Sequence, residues 1–169
     1  CGTSMAAPVI AGGAAMLKQY FEEGRFPSGL PNPSHSITPS GSLLRACMAN
    51  SGVDLQSEMG FPGYREGWGR ALLDDVVYFP GDAVKFRMVD IPHAQGVSHQ
   101  QTRARRLNIP AGSSMLRITM AYADEPGSAF ANLPVVNDLS LIAVDPNGVR
   151  YGGNIINTFT GASFPDTTA

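Results

Sequence analysis

The residue best suited to chemistry is Ser4, which lies between Gly2 and Pro8 near the start of the sequence. A serine hydroxyl is a poor nucleophile at neutral pH unless a base, a group that orients the base and oxyanion donors lie nearby. Ser4 begins a predicted helix, and the backbone N–H groups and dipole of a helix start favour negative charge. Gly2 has no Cβ, so another backbone can approach closely. The segment therefore supplies a serine at a fixed position and donors that favour an anion there, which are two of the requirements for nucleophilic catalysis.

No histidine of this chain is a convincing base for Ser4. His35 lies in Pro-Ser-His-Ser, His93 in Ile-Pro-His-Ala and His99 in Val-Ser-His-Gln, and each follows the serine along the chain. We interpret all three as surface or loop histidines. The serine is therefore expected to depend on a base from another segment.

The composition is that of an ordinary globular protein, with 169 residues, 43% hydrophobic and 15% charged. A net charge of −2 gives no reason to expect nucleic acid as a partner, and Arg103-Ala104-Arg105-Arg106 is too short a cluster to change this. The sequence contains no apolar run of about 18 residues, so no membrane insertion is expected. Cys1 and Cys47 could form a disulfide, although two small core-type residues are the favoured interpretation.

The helix that begins with the serine is predicted to run from Ser4 to about Glu23. Thr3 and Ser4 are its capping candidates, and Pro8 is assigned to an early position that a first turn tolerates. Small residues dominate its first half, which favours close packing against a sheet or another helix.

The remaining pattern changes from helical to strand-like at residues 79–83. Before this boundary, a helix is predicted to begin with Thr38-Pro39-Ser40 and to end at Asn50-Ser51-Gly52, and another is predicted from Ala71 to about Val77. After it, alternation predicts strands at residues 85–89, 105–109, 116–122 and 138–144. Asp145-Pro146-Asn147-Gly148 predicts a turn into a partner strand. We therefore predict domains at residues 1–80 and 81–169.

The segment Gly2-Thr3-Ser4-Met5-Ala6-Ala7-Pro8 resembles the G-T-S-M-A-x-P serine motif of the subtilisin-like serine proteases. Tyr64–Leu73 resembles the G-x-G-x-[VL]-[ND] stretch after the penultimate helix of that family, so the resemblance covers about residues 1–78. It implies a serine endopeptidase in which Ser4 forms an acyl-enzyme, supported by Gly2, Thr3, Met5 and Pro8. It also implies an α/β fold with a parallel sheet, of which this chain holds only the C-terminal helical part.

A second, narrower resemblance lies in the β-rich part. Val136–Leu141 and Pro146–Tyr151 look like the VNDLDL…PNGxxY pattern of the C-terminal β domain in alkaline, oxidatively stable subtilases of the KP-43 type. This implies a partial all-β sandwich or jelly-roll-like domain over residues 81–169. Ser140 replaces an aspartate that is frequent in the pattern. Asn137, Asp138 and Asp145 are weak candidates for structural calcium, turn capping being their favoured role; the chemistry itself requires no cofactor.

In the family, the catalytic Asp, the catalytic His and an oxyanion Asn all precede the serine. The corresponding D-[ST]-G and H-G-T motifs do not occur in this sequence. We therefore expect a fragment that is inactive alone and acts on a protein or peptide substrate together with an upstream catalytic-domain segment. Family resemblance also implies secretion.

Two alternatives remain open. Residues 83–169 could form a non-catalytic β-sandwich binding module, or the chain could belong to a catalytically dead homologue. The nucleotide sequence upstream of Cys1, read in frame, distinguishes these cases, because an intact protease encodes the Asp and His motifs there.

Overall fold

The computed structural model describes residues 2–56, 60–83 and 85–166, and the chain forms two compact units. The first unit contains residues 1–50 and 73–119, and the second contains residues 51–72 and 120–169. Neither unit ends at residues 79–83, and the division into domains 1–80 and 81–169 stays a prediction.

The first unit is built on helix α1 (Thr3–Glu22) and helix α2 (Gly41–Asn50). The predicted bounds of α1 are confirmed to within one residue at each end. Gly24 follows α1 with φ +65°, and a Cβ there would lie 1.9 Å from the carbonyl oxygen of Asn32. Glycine is therefore the residue that this reversal of the chain requires.

The core lies on the C-terminal half of α1. It consists of Leu17, Tyr20, Phe21, Leu43, Cys47, Val76 and Val77. The Tyr20 hydroxyl donates to the Tyr78 carbonyl at 2.9 Å and accepts from the Tyr78 N–H at 3.1 Å. Close packing predicted from the small residues occurs at Gly13, where a Cβ would lie 3.3 Å from Cε of Met48 on α2. The prediction is wrong for the small residues before it, because Ala6, Ala7, Ala11 and Gly12 are exposed.

Side-chain capping fixes the start of α2. The Ser40 hydroxyl oxygen accepts from the Leu43 N–H at 3.0 Å. The Ser40 N–H and hydroxyl donate to the Asp90 carboxylate at 2.7 and 2.6 Å. The segment predicted as a strand at residues 85–89 forms no strand. Phe86 and Met88 hold it in place by packing against the core.

Three short 3-10 helices complete the helical elements of the described residues, at Pro33–His35, Leu73–Val76 and His93–Gln95. The predicted helix from Ala71 to Val77 is wrong in its first part. Ala71 pairs as a strand with Gly52, so only Leu73–Val76 forms a helix, of the 3-10 type. No helix in the described ranges is long and apolar enough to cross a membrane.

The second unit contains two antiparallel sheets. Strand β1 (Gly52–Val53) pairs with β2 (Arg70–Ala71). Strand β4 (Arg150–Asn157) lies between β3 (Ile142–Val144) and β5 (Ala162–Asp166). The turn between β3 and β4 is confirmed, because Asp145 Oδ1 accepts from the N–H groups of Asn147 and Val149 at 2.8 and 2.9 Å.

The strands predicted at residues 105–109 and 116–122 are wrong, because the described residues from 85 to 141 form no strand. Leu116 and Met120 remain 53% and 40% exposed. Alternation gives a segment one apolar face, but a strand also needs a neighbour to accept its backbone hydrogen bonds. The parallel sheet and the β-sandwich inferred from resemblance stay predictions.

Candidate functional site

Ser4 is the second residue of α1, and it is exposed. The preceding Gly2 is extended (φ 175°, ψ 174°), and its carbonyl accepts from the N–H groups of Met5 and Ala6 at 3.0 and 3.2 Å. The N–H groups of Thr3 and Ser4 come before the first hydrogen bonds of the helix. Neither donates to another described residue.

The Ser4 hydroxyl is not used to cap the helix. The N-cap residue is Gly2, which makes no side-chain capping bond, so the prediction of Thr3 or Ser4 as the cap is wrong. The hydroxyl makes no hydrogen bond to any other residue in the described ranges. The helix therefore presents the hydroxyl and the adjacent N–H together.

Pro8 lies inside α1 rather than in its first turn, which corrects the sequence-based assignment. Proline has no N–H, so the Ser4 carbonyl lacks the donor that an α-helix normally supplies four residues later. Met5 is 64% exposed beside the serine. The first two turns thus expose both the backbone polar groups of Ser4 and an apolar side chain.

None of the histidines is brought to Ser4 by a hydrogen bond within the described structure. His35 ends the 3-10 helix Pro33–His35, His93 begins His93–Gln95, and His99 lies in a turn. All three are exposed. The described residues do not form a serine–histidine pair.

Cys47 is the one cysteine among the described residues. It is a free thiol on α2 with only 3% of its surface exposed, and Cys1 lies outside the described residues. Burial, with a smaller contribution from the Asp90 charge, raises the pKa of Cys47 to about 11. The thiol is therefore neutral and enclosed at neutral pH, which leaves Ser4 as the stronger candidate.

The glycines of the Tyr64–Leu73 stretch have a clear structural role. Gly67 and Gly69 have φ of +59° and +74°, conformations that side chains disfavour. A Cβ on Gly69 would also lie 2.1 Å from the carbonyl oxygen of Val53. The two glycines therefore shape the turn that brings Arg70 into the β1–β2 pair.

Two of the calcium candidates, Asn137 and Asp145, make hydrogen bonds that stabilise the loops in which they lie. The Asn137 side-chain amide donates to Asp124 Oδ1 at 2.8 Å, and the Asn137 backbone carbonyl accepts from the Tyr122 hydroxyl at 2.6 Å. Asp145 caps the β3–β4 turn, and Asp138 is exposed. Within the described ranges, no three His, Cys, Asp or Glu residues lie together as a metal-binding group.

Asp124 binds the loop at Val136 and Asn137, a role that was not predicted from the sequence. Its carboxylate accepts from the Val136 N–H at 2.8 Å, and this bond, with those from Asn137, holds the pKa of Asp124 below its ordinary value. The turn sequence Asp-Glu-Pro-Gly at residues 124–127 was the available signal.

An open depression lies in the second unit near the turn that carries Gly67. Its lining residues are Gly60, Pro62, Gly63, Tyr64, Gly67, Trp68 and Thr158. Trp68 is 47% exposed, and Tyr64 is fully exposed. None of its described lining residues is charged, and Trp68 and Tyr64 give it an aromatic surface.

Comparison with known proteins gives partial similarities. No protein-family model and no solved structure matches the chain. Over 96% of its length the chain is 27% identical to the Dictyostelium discoideum serine protease/ABC transporter B family protein tagA, and over 97% it is 24% identical to tagD. A stretch of 50 residues, 30% of the chain, is 42% identical to tagB of the same organism. The chain spans 9%, 11% and 3% of these proteins, respectively. The similarity links the chain to the serine proteases.

Proposed function

We propose that this chain is part of a subtilisin-like serine endopeptidase in which Ser4 is the nucleophile. The observation that carries the proposal is the exposed position of Ser4 on α1, where its hydroxyl and N–H have no partner among the described residues. The G-T-S-M-A-x-P resemblance and the relatives named as serine proteases support the same assignment.

In the proposed reaction, the Ser4 oxygen attacks the carbonyl carbon of the scissile peptide bond while its proton passes to a base. The Ser4 N–H donates to the developing oxyanion, and the start of α1 adds its dipole at the same point. The tetrahedral intermediate then expels the amine and leaves an acyl-enzyme on Ser4. Water hydrolyses this ester and restores the hydroxyl.

The base and its orienting group belong, in this proposal, to an upstream segment. That segment supplies the Asp and His of the triad and the Asn that completes the oxyanion hole. The helices α1 and α2 are then the last helices of an α/β domain, followed by a β-sandwich. Secretion is part of the same proposal, whereas Asn137 and Asp145 are assigned to the hydrogen bonds of their loops and not to calcium.

Replacement of the nucleophile tests the assignment directly. In the complete protein, we expect Ser4→Ala to lower kcat for peptide hydrolysis by about 10⁴-fold or more, because the acyl-enzyme cannot form. The same substitution is expected to remove labelling by a fluorophosphonate. Hydrolysis of a peptide substrate and gel detection of the label provide the measurements.

Ser140→Ala is the matched control, since Ser140 is exposed and makes no hydrogen bond to another described residue. It is expected to retain wild-type turnover and labelling. Near-normal turnover by Ser4→Ala would contradict the nucleophile assignment. A complete wild-type protein without labelling or turnover would instead support the binding module or the dead homologue.

A further inference from the structure

The basic cluster Arg103-Ala104-Arg105-Arg106 lies in an unusual stretch of sequence. Residues 91–123 contain four arginines and no Asp or Glu. Three of these arginines fall within four consecutive positions. The cluster is therefore a concentrated positive charge without acidic neighbours in sequence.

The structure leaves this cluster without internal partners. Residues 102–109 are exposed throughout and form no helix or strand. Within the described part of the chain, they make no hydrogen bond and no ion pair. Arg117 differs, because its guanidinium donates to the Asn50 carbonyl and lies 3.9 Å from the Asp75 carboxylate.

We propose that the Arg106–Leu107 peptide bond is a site of proteolytic processing by a separate endoprotease. The cleft of this endoprotease would carry carboxylates that receive the guanidinium groups of Arg103, Arg105 and Arg106. The proposal does not depend on the activity of Ser4.

Backbone accessibility supports this assignment. Extended segments that enter a binding cleft form main-chain hydrogen bonds with it, in the manner of an added strand. The N–H and C=O groups of residues 102–109 are not committed to other described residues. No local secondary structure has to unfold before the segment can bind, which is a property of preferred nicking sites.

Side-chain geometry favours a cleft over a flat anionic surface. When the segment is extended, Arg103 and Arg105 point to one side and Arg106 to the other. A membrane or nucleic acid would meet only one of these sides, whereas a cleft surrounds the chain. Carboxylates also bind guanidinium groups in a bidentate manner, which gives selectivity for arginine over lysine.

The reaction is a hydrolysis and needs only water as co-reactant. The C–N bond between Arg106 and Leu107 breaks, and the water oxygen bonds to the Arg106 carbonyl carbon. Arg106 becomes a C-terminal carboxylate, and Leu107 becomes an N-terminal amine. No electron transfer occurs.

The test uses the complete protein in a Ser4→Ala background, so that cleavage by its own serine does not contribute. It is exposed to limiting trypsin and, separately, to an endoprotease that requires arginine at the first, second and fourth positions before the cut. N-terminal sequencing and intact mass identify the products. We expect the first new N-terminus to be Leu107 with the second enzyme and an N-terminus within residues 104–107 with trypsin.

Matched arginine variants determine which side chains are recognised. With the selective enzyme, Arg106→Gln is expected to abolish the cut, and Arg103→Gln to slow it at least about 10-fold through loss of a guanidinium–carboxylate pair. Arg87→Gln, at an exposed arginine outside the cluster, is expected to leave the rate unchanged.

The proposal is overturned if the selective enzyme leaves the Arg106–Leu107 bond intact, or if trypsin cuts other arginines first. Equal rates for wild type and Arg103→Gln would also contradict it. Binding of anionic vesicles or RNA that is lost on triple Arg→Gln substitution, without selective cleavage, would assign the cluster to an anionic partner instead.

Discussion

At the residue scale, Gly67 and Gly69 illustrate two different requirements for glycine, a positive φ and a close backbone contact. Both have positive φ, which costs an L-residue roughly 1–2 kcal/mol. Only Gly69 also lies against a neighbouring backbone group, the carbonyl of Val53. At Gly67, no atom lies within 4 Å of an added Cβ. The pair therefore distinguishes conformational strain from steric overlap.

We expect Gly69→Ala to lower the free energy of unfolding by more than about 2 kcal/mol, because strain and overlap combine. Gly67→Ala is the control and is expected to cost about 1 kcal/mol from strain alone. Urea denaturation of both variants measures the difference. Equal losses would show that the contact with Val53 relaxes without cost.

At the scale of elements, α1, α2 and one turn could be predicted because their signals are local. The apolar spacing of Leu17, Tyr20 and Phe21 is contained within α1, and Asp145 caps its own turn. The 105–109 and 116–122 strands could not be predicted correctly, since strand pairing depends on segments distant in sequence. The position of Ser4 was predictable, but its freedom from capping depended on the extended backbone of Gly2.

The start of α2 gives a prediction at this scale. We expect Ser40→Ala to cost about 1 kcal/mol of stability, because the Leu43 N–H loses its cap and Asp90 loses a donor. Asp90→Ala is expected to cost a similar amount. The double variant should lose less than the sum, since both substitutions remove the same contact.

Thermal unfolding of the single and double variants measures this coupling. Ser42→Ala is the matched control in the first turn of α2, because the Ser42 side chain makes no hydrogen bond to another described residue. Its expected effect is within about 0.5 kcal/mol. Additive effects of Ser40→Ala and Asp90→Ala would show that their contact does not stabilise α2.

At the scale of the whole molecule, apolar burial is unevenly distributed. All seven buried apolar side chains of the described residues belong to the first unit. In the second unit, Ile142, Val144 and Ile155 are 46%, 62% and 51% exposed. Hydrophobic burial therefore stabilises the first unit much more than the second.

Two adjacent residues of α1 test this distribution. Leu17 is 1% exposed and Met16 is 64% exposed. We expect Leu17→Ala to lower the free energy of unfolding by about 2–5 kcal/mol through loss of burial and creation of a cavity. Met16→Ala is expected to change it by no more than about 0.5 kcal/mol. Denaturant unfolding followed by circular dichroism compares them, and similar losses would contradict the assigned core.

The uncovered first half of α1 has a consequence for how accurately its serine can be held. Residues 2–12 are all exposed, so this half depends almost entirely on its own hydrogen bonds. Helical segments this short fray in water when nothing packs on them. A surface that covered Met5 and Val9 would suppress the fraying and fix Ser4 in the same event. Docking and helix ordering would then be thermodynamically coupled, so that each gain in docking affinity would also restrict the position of the proposed nucleophile.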